Sequence, residues 1–327
     1  MLRPRSHFPR GLSAQALADD LRRLGLPAGA TVLVHASIRA VGPVAGGAET
    51  LLEALQMVIG ESGTVMVPAF CWEAADPAQF REPPPPDELE AARAVVIPYT
   101  PDALVDPGLG VFPQVVHRVP DARRSMVPAS FVALGRHADE LAAVQDSERP
   151  YGRGGPLGEL GELDGWVLLL GVDFRCATSV HCAEDQADLP YLRCDPPNRY
   201  LIGPGQWLEV GRDYGCGEGF NVIQGVLVGR GQLLEGSMGA APSLLARHNH
   251  VVEAGLSLLA GDRGALLCGQ EQCAWCSRAR RMLAKARGDT RTAERRSEHK
   301  RPTSGLAGSG NSGDGRRAGC REDEGER

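Results

Sequence analysis

The sequence predicts an α/β protein, a mixed β-sheet flanked by helices, with a C-terminal tail that lacks a core. Three observations lead there. Over residues 13–67 a helix, an apolar strand, a second helix and a second apolar strand follow one another, the order of a βαβ unit whose crossover is right-handed. A continuous apolar run at Val167–Leu170 suits a strand covered on both faces, and the polar residues after it would sit at the carboxyl edge of the sheet, where α/β enzymes place chemistry. From Gly288 to Arg327 the one large aliphatic residue is Leu306, so nothing offsets the entropy of ordering and disorder is expected. The chain divides into a folded domain, 1–287, and a tail, 288–327.

Each element has a local reason. Ser13 can cap a helix with Leu17, Leu21 and Leu24 on one side, stopped by Gly25 and Pro27. Thr31–His35 reads as the first strand. Gly46-Gly47 precedes a helix whose Leu51, Leu52, Leu55 and Val58 face inward, and Gly63 turns the chain into the strand Thr64–Val67. Residues 71–110, rich in Pro and acids, read as an irregular excursion, functional or disordered in a compact enzyme. After Val167–Val172 come a helix from about Ser179, two strands near Tyr200–Ile202 and Gln206–Val210, and a long helix around Leu244–Leu259.

Composition bounds the function. No uninterrupted apolar run approaches 18 residues, so no membrane span is expected. Met1-Leu-Arg-Pro-Arg-Ser-His-Phe8 is basic without the apolar stretch of a signal peptide, which points to the cytoplasm. Nine cysteines at irregular spacing then read as thiols or metal ligands, not as a disulfide framework. The formal charge is −6; the tail carries nine Lys/Arg against eight Asp/Glu, leaving about −7 on the domain. Such a body steers cations and argues against a nucleic-acid partner.

The chemistry concentrates after the apolar strand. On a helix from Ser179, His181 and Glu184 share one face, so the carboxylate can orient the imidazole as a general base. A core histidine near an acidic helix start gives the same spacing. Cys182 is a weaker nucleophile candidate, because adjacent helical side chains diverge by about 100°. Ser37, Arg39 and the Val41–Gly47 loop, with Val41 and Gly42, follow a strand and precede a helix, so backbone N–H groups could face a pyrophosphate there, with Arg39 in support; a tight turn is the other reading. Neither G-x-G-x-x-G nor G-x-x-x-x-G-K-[ST] occurs, which disfavours a dinucleotide enzyme or an NTPase. Cys273-Ala-Trp-Cys276, with Cys216 and either Cys268 or a His, could complete a tetrahedral structural zinc site or remain free thiols.

Several segments together resemble the aminoglycoside 3-N-acetyltransferase family, the antibiotic N-acetyltransferases. Leu168–Val172 with Thr178-Ser-Val-His-Cys-Ala-Glu184 is similar to "LLLGV…T-x-x-H-x-A-E". Leu33-Val-His-Ala-Ser37 with Val41–Gly47 resembles the opening "LVHSSLRSLG…GG", and Gly63–Pro68 the strand "GTLVMP". Gly110-Val-Phe112, Arg124-Ser125 with Pro128, Gly155–Gly158 and Gly239–Val252 follow in order, so the resemblance covers most of residues 12–285. It implies that fold, acetyl-CoA as co-substrate, and acetylation of an aminoglycoside amine, with resistance following from loss of a positive charge needed on ribosomal RNA. It places Ser37, Arg39, Arg124, Ser125 and Thr178 along the cofactor, His181 and Glu184 at the reaction, and Tyr151 at the acceptor. Carboxylates for the other ammonium groups would come from Glu73, Asp76, Asp185, Asp213 and Glu218, of which the Asp213–Glu218 region matches the relatives' "D-H-C-C-E". The resemblance fits a monomer or a homodimer. This chain departs at Val127, where the family has a His in "RSxHP", at Gly155 in "SPL", and at Tyr151, often a His. Those changes bear on the acceptor more than on the chemistry. An acyltransferase of secondary metabolism and a non-catalytic binding relative are the alternatives.

Overall fold

Ser13 caps the first helix as expected: its Oγ accepts the N–H of Ala16, starting α1 (Ala14–Leu24), which buries Leu17, Leu21 and Leu24. Gly25 ends it in the left-handed region at φ +101°, a turn that a side chain would strain. The computed structural model describes residues 11–298 apart from 81, 144 and 145, with side chains as far as 286.

In chain order there follow β1 (Thr31–Ala36), α2 (Ile38–Val41), α3 (Ala48–Ile59), β2 (Thr64–Pro68), α4 (Leu89–Ala94), α5 (Val111–His117), β3 (Arg123–Arg124), β4 (Phe131–Gly135), α6 (Ala138–Ala143), α7 (Pro156–Glu162), β5 (Trp166–Leu170), α8 (Ser179–Gln186), β6 (Arg193–Gly203), β7 (Gln206–Arg212), α9 (Val222–Gly229), β8 (Leu234–Met238), β9 (Ala241–Arg247), α10 (His248–Gly261) and α11 (Ala274–Glu298). Seven strands form one sheet in the order β3-β4-β2-β1-β5-β9-β8, and β6 with β7 makes a separate hairpin. β1 runs parallel to β2 and β5 at the centre, while the outer pairs are antiparallel, so the sheet is mixed.

Alternation along β1 divides the core. Val32 and Val34 pack with α1 and α3 residues such as Leu21, Leu51 and Leu55, whereas Leu33 packs on the opposite face with Met66, Leu157, Cys182 and Ala183. The central strands are apolar on both faces because both are covered.

Two expectations change. The helix anticipated around Leu244–Leu259 starts at His248; Leu244 and Leu245 belong to β9, paired with Leu169 and Leu168 of β5. A short apolar run suits either state, and here sheet pairing decides. Where a structureless tail is expected from residue 288, the backbone through 298 continues α11; residues 299–327 lie outside the described part. Residues 291–298 are rich in Arg and Glu, which readily extend a helix already started.

Candidate active site

β5 ends at Leu170, and a short turn capped by Asp173 delivers the chain to α8. That helix presents His181 and Glu184 as their spacing predicts. His181 Nδ1 lies 2.7 Å from Glu184 Oε2, and the Tyr191 hydroxyl donates to Glu184 Oε1 at 3.1 Å. Glu184 is 1 % exposed. A carboxylate held on both oxygens fixes the tautomer of its partner: Nδ1–H points at Glu184, leaving the Nε2 lone pair for a ligand.

Aromatic rings hold the imidazole. Tyr151 stacks on it at 5.5 Å between centroids, and Tyr214 and Phe220 meet it edge-on at 5.7 and 5.0 Å. Tyr214 is itself held by Asp185, whose Oδ1 accepts its hydroxyl at 2.6 Å.

The dyad opens onto a cleft with two lobes. The larger, about 630 Å³, is lined by His35, Ser37, Arg39, Arg175, Thr178 and His181, and by the Gly108–Val111 turn. The smaller, about 340 Å³, is lined by Gln79, Phe80, Val127, Asn198, Tyr200, Arg212 and Asp213. Trp72, Tyr151 and Tyr214 border both. The excursion is fastened to the hairpin on the far side: Asp76 accepts from Arg93 at 2.9–3.2 Å and from Arg199 at 3.2 Å, and Ala75 bridges Tyr200. A cation-bearing lobe that holds an oriented base, beside a mixed aromatic and polar lobe that shares Trp72, Tyr151 and Tyr214 with it, suits transfer of a group between two ligands.

Several expected positions therefore stand in the cleft: His181, Ser37, Arg39, Thr178, Tyr151 and Asp213. Others do not, each for a physical reason. Arg124 is 6 % exposed and donates to Ser130 Oγ and to the carbonyls of Pro101, Ala103 and Ala69, with Tyr99 beneath it, so it closes a buried loop instead of facing a phosphate. Ser125 is fully buried and its Oγ accepts the Phe131 N–H. Val41 sits in the core and Gly42 caps α2 at φ +94°. Asp76 is spent on Arg93 and Arg199, and Asp185 on Arg149, Arg212 and Tyr214. Glu73 lines a neighbouring groove with Cys71, Leu104 and His117. Glu218 pairs with Arg175 at 3.4 Å. Cys182 is buried, which pushes its thiol up to about 11, so it is not a nucleophile.

Sequence reasoning missed His35, Arg175, Trp72, Tyr191 and Tyr214. For His35 a signal existed, a polar residue inside an otherwise apolar strand. The others depend on long-range packing that spacing does not encode.

A second cluster stands beside the cleft, Cys216 lying between Gly215 and Gly217 of the larger lobe's lining. Cys216, Cys268, Cys273 and Cys276 bring four sulfurs within 4.8 Å of one another. The fourth thiol is Cys268, of the two alternatives open in the sequence. Hydrogen bonding from the Cys276 backbone N–H lowers the Cys273 thiol to about 7.

Fold and site define an acyltransferase-type α/β enzyme with a His–Glu dyad. The family model for aminoglycoside 3-N-acetyltransferase matches residues 33–260. Aminoglycoside N(3)-acetyltransferase VII of Streptomyces paromomycinus is 37% identical over 258 residues, covering 74% of this chain and 89% of the relative. Among solved structures, the apoenzyme of aminoglycoside acetyltransferase AAC(3)-IVa superposes with a TM-score of 0.72 at 28% identity, over 85% of this chain and 100% of that one. AAC-IIIb in binary complex with CoASH gives 0.66 at 32% identity, over 76% and 97%. The chain belongs to the aminoglycoside 3-N-acetyltransferase family.

Proposed function

We propose that the larger lobe takes acetyl-CoA and the smaller an aminoglycoside, and that His181 is the base for acetyl transfer between them. The observation that carries this reading is the 2.7 Å contact of His181 Nδ1 with a carboxylate fixed from its other side by Tyr191, in a ring that lines the larger lobe and packs against Tyr151 and Tyr214, which border both lobes. An ammonium cannot attack a thioester, so the acceptor must enter as the free amine, its extra proton lost to solvent. As its nitrogen bonds to the acetyl carbon, His181 Nε2 takes the proton released. The carbonyl electron pair moves to oxygen and returns as the C–S bond breaks, and the thiolate takes the proton from His181.

Arg39 and Arg175 supply positive charge for the cofactor's phosphates, Arg175 being steadied by Asp173 at 2.9 Å. Among the described residues lining the smaller lobe, Asp213 is the one carboxylate. It already accepts from Trp275 at 3.1 Å and Arg278 at 3.0 Å, which orients it and leaves lone pairs for one ammonium group. Arg212 beside it is paired with Asp188 at 2.8 Å. The four-thiol cluster fits a structural zinc: tetrahedral Zn–S bonds of about 2.3 Å put sulfurs about 3.8 Å apart, compatible with the observed spacing.

The test is thiol release from acetyl-CoA across a panel of aminoglycosides, for the full chain and for Asp213→Asn. Release with at least one acceptor is expected. Because a charge-assisted contact shared with two other donors is worth about 1.5 kcal/mol, Asp213→Asn should raise the acceptor KM about tenfold with kcat little changed. No release with any acceptor, or an unchanged KM, would remove the respective assignment.

A further inference from the structure

Among the described residues of the larger lobe, His35 has a buried ring nitrogen without a hydrogen-bond partner. His35 stands at the carboxyl end of β1, 7 % exposed, in the wall of the larger lobe. Strand alternation puts it on the face of Leu33, which packs with Cys182 and Ala183 of α8. Its register partner on β5 is Leu169, whose packing cluster includes Val180 and Phe220. His35 therefore approaches from the sheet the same lobe that His181 approaches from the helix above it.

Its Nε2 is enclosed and has no hydrogen-bond partner. An orphaned buried polar atom is costly, and an apolar side chain would fill the space without that cost. Burial also lowers its pKa to about 4, so at neutral pH the ring is uncharged and carries a single N–H. An orphaned N–H is worse than an orphaned lone pair. The proton accordingly belongs on Nδ1, which leaves the enclosed Nε2 as the bare acceptor.

We propose that His35 is a second imidazole of the reaction, whose Nδ1–H donates to the acetyl oxygen as it becomes the oxyanion. The two histidines then divide the work by environment. His181, backed by Glu184, cycles a proton; His35 has no carboxylate partner, stays neutral, and stabilises charge that exists only while the tetrahedral intermediate does. The amine nitrogen gains the acetyl carbon, the C–S bond breaks, and the proton passes through His181 alone. This assignment rests on reading the larger lobe as the acetyl-CoA lobe.

The test uses the full chain with His35→Leu, His35→Asn and His35→Gln, measuring kcat and KM for acetyl-CoA by thiol release, CoA affinity by calorimetry, and Tm. His35→Leu should lose about 10²–10³-fold in kcat, with the acetyl-CoA KM and the CoA Kd within about threefold and Tm no lower than wild type, since an unpartnered polar group has been removed. His35→Asn, whose amide N–H falls near the position of Nδ1, should recover at least tenfold; His35→Gln, reaching further, should not. Retained kcat in His35→Leu, or a raised KM with unchanged kcat, overturns the oxyanion role. Should the Leu variant fail to fold, equal kcat for the Asn and Gln variants overturns it, and at least tenfold separation in favour of Asn supports it. Wild-type protein that binds no CoA would overturn the reading of the lobe, and this proposal with it.

Discussion

Glu184 acts on His181 through one oxygen and is itself held through the other by Tyr191, so removing each member has a different consequence. His181→Ala deletes the base and should lower kcat by about 10²–10⁴-fold with CoA affinity little changed. Glu184→Gln keeps the ring but offers a weaker and ambiguous partner to Nδ1, so its loss should be smaller. Steady-state thiol release decides between them: a Gln variant slower than the Ala variant would exchange the two roles. Asp185, one residue on, shows why adjacency to a motif is a poor guide. Four residues on from His181 it lies on the same side of α8, but Arg149 at 2.7 Å and the Tyr214 hydroxyl at 2.6 Å use its oxygens. It positions the tyrosine that packs against His181.

At the scale of elements, the excursion after β2 and the β6–β7 hairpin line the smaller lobe together. Asp76, paired with Arg93 inside the excursion, links the two through Arg199 of β6, which explains how a stretch poor in regular structure keeps a defined surface. The four cysteines join the loop after β7, the loop after α10 and the first turn of α11. With zinc bound, binding energy becomes folding energy for these elements. The purified protein should then contain about one zinc per chain, and both a strong chelator and Cys276→Ser should lower its Tm, since the bound metal would tie these elements together. Elemental analysis finding no zinc, with Tm indifferent to chelator, would leave the cluster as four thiols.

For the whole molecule, two buried histidines set an acid limit on stability. Burial lowers the pKa of His35 and of His248 to about 4, the latter with Nδ1 3.0 Å from Ser179 Oγ. In the unfolded chain both titrate near 6.5. Below that value the unfolded state binds more protons than the folded one, so stability falls as pH drops from 6.5 and the penalty is complete below about 4. Each group can cost up to about 3 kcal/mol. Thermal melts between pH 7.5 and 4.5 should show Tm falling with acidification, and His35→Leu should flatten the curve relative to wild type. Parallel curves would mean that His35 is not neutral and enclosed in the folded protein.

The sequence by itself determined what depends on short spacing. Three residues of separation on a helix brought His181 to Glu184, Ser13 and Gly25 bounded α1, and the apolar runs marked the central strands, because helix and strand periods are local properties of the backbone. Cys273 and Cys276 announced a thiol cluster in the same way. The tertiary structure alone decided which charges are free. Arg124, Asp76 and Asp185 look like ligand-binding groups in a linear reading, yet each meets partners distant in sequence that desolvate and satisfy it, and no periodicity encodes those meetings. It also decided that Ser243-Leu-Leu-Ala246 joins a sheet instead of a helix, and that His35 faces the cleft with nothing to bind, since pairing and the absence of a partner are properties of the assembled fold.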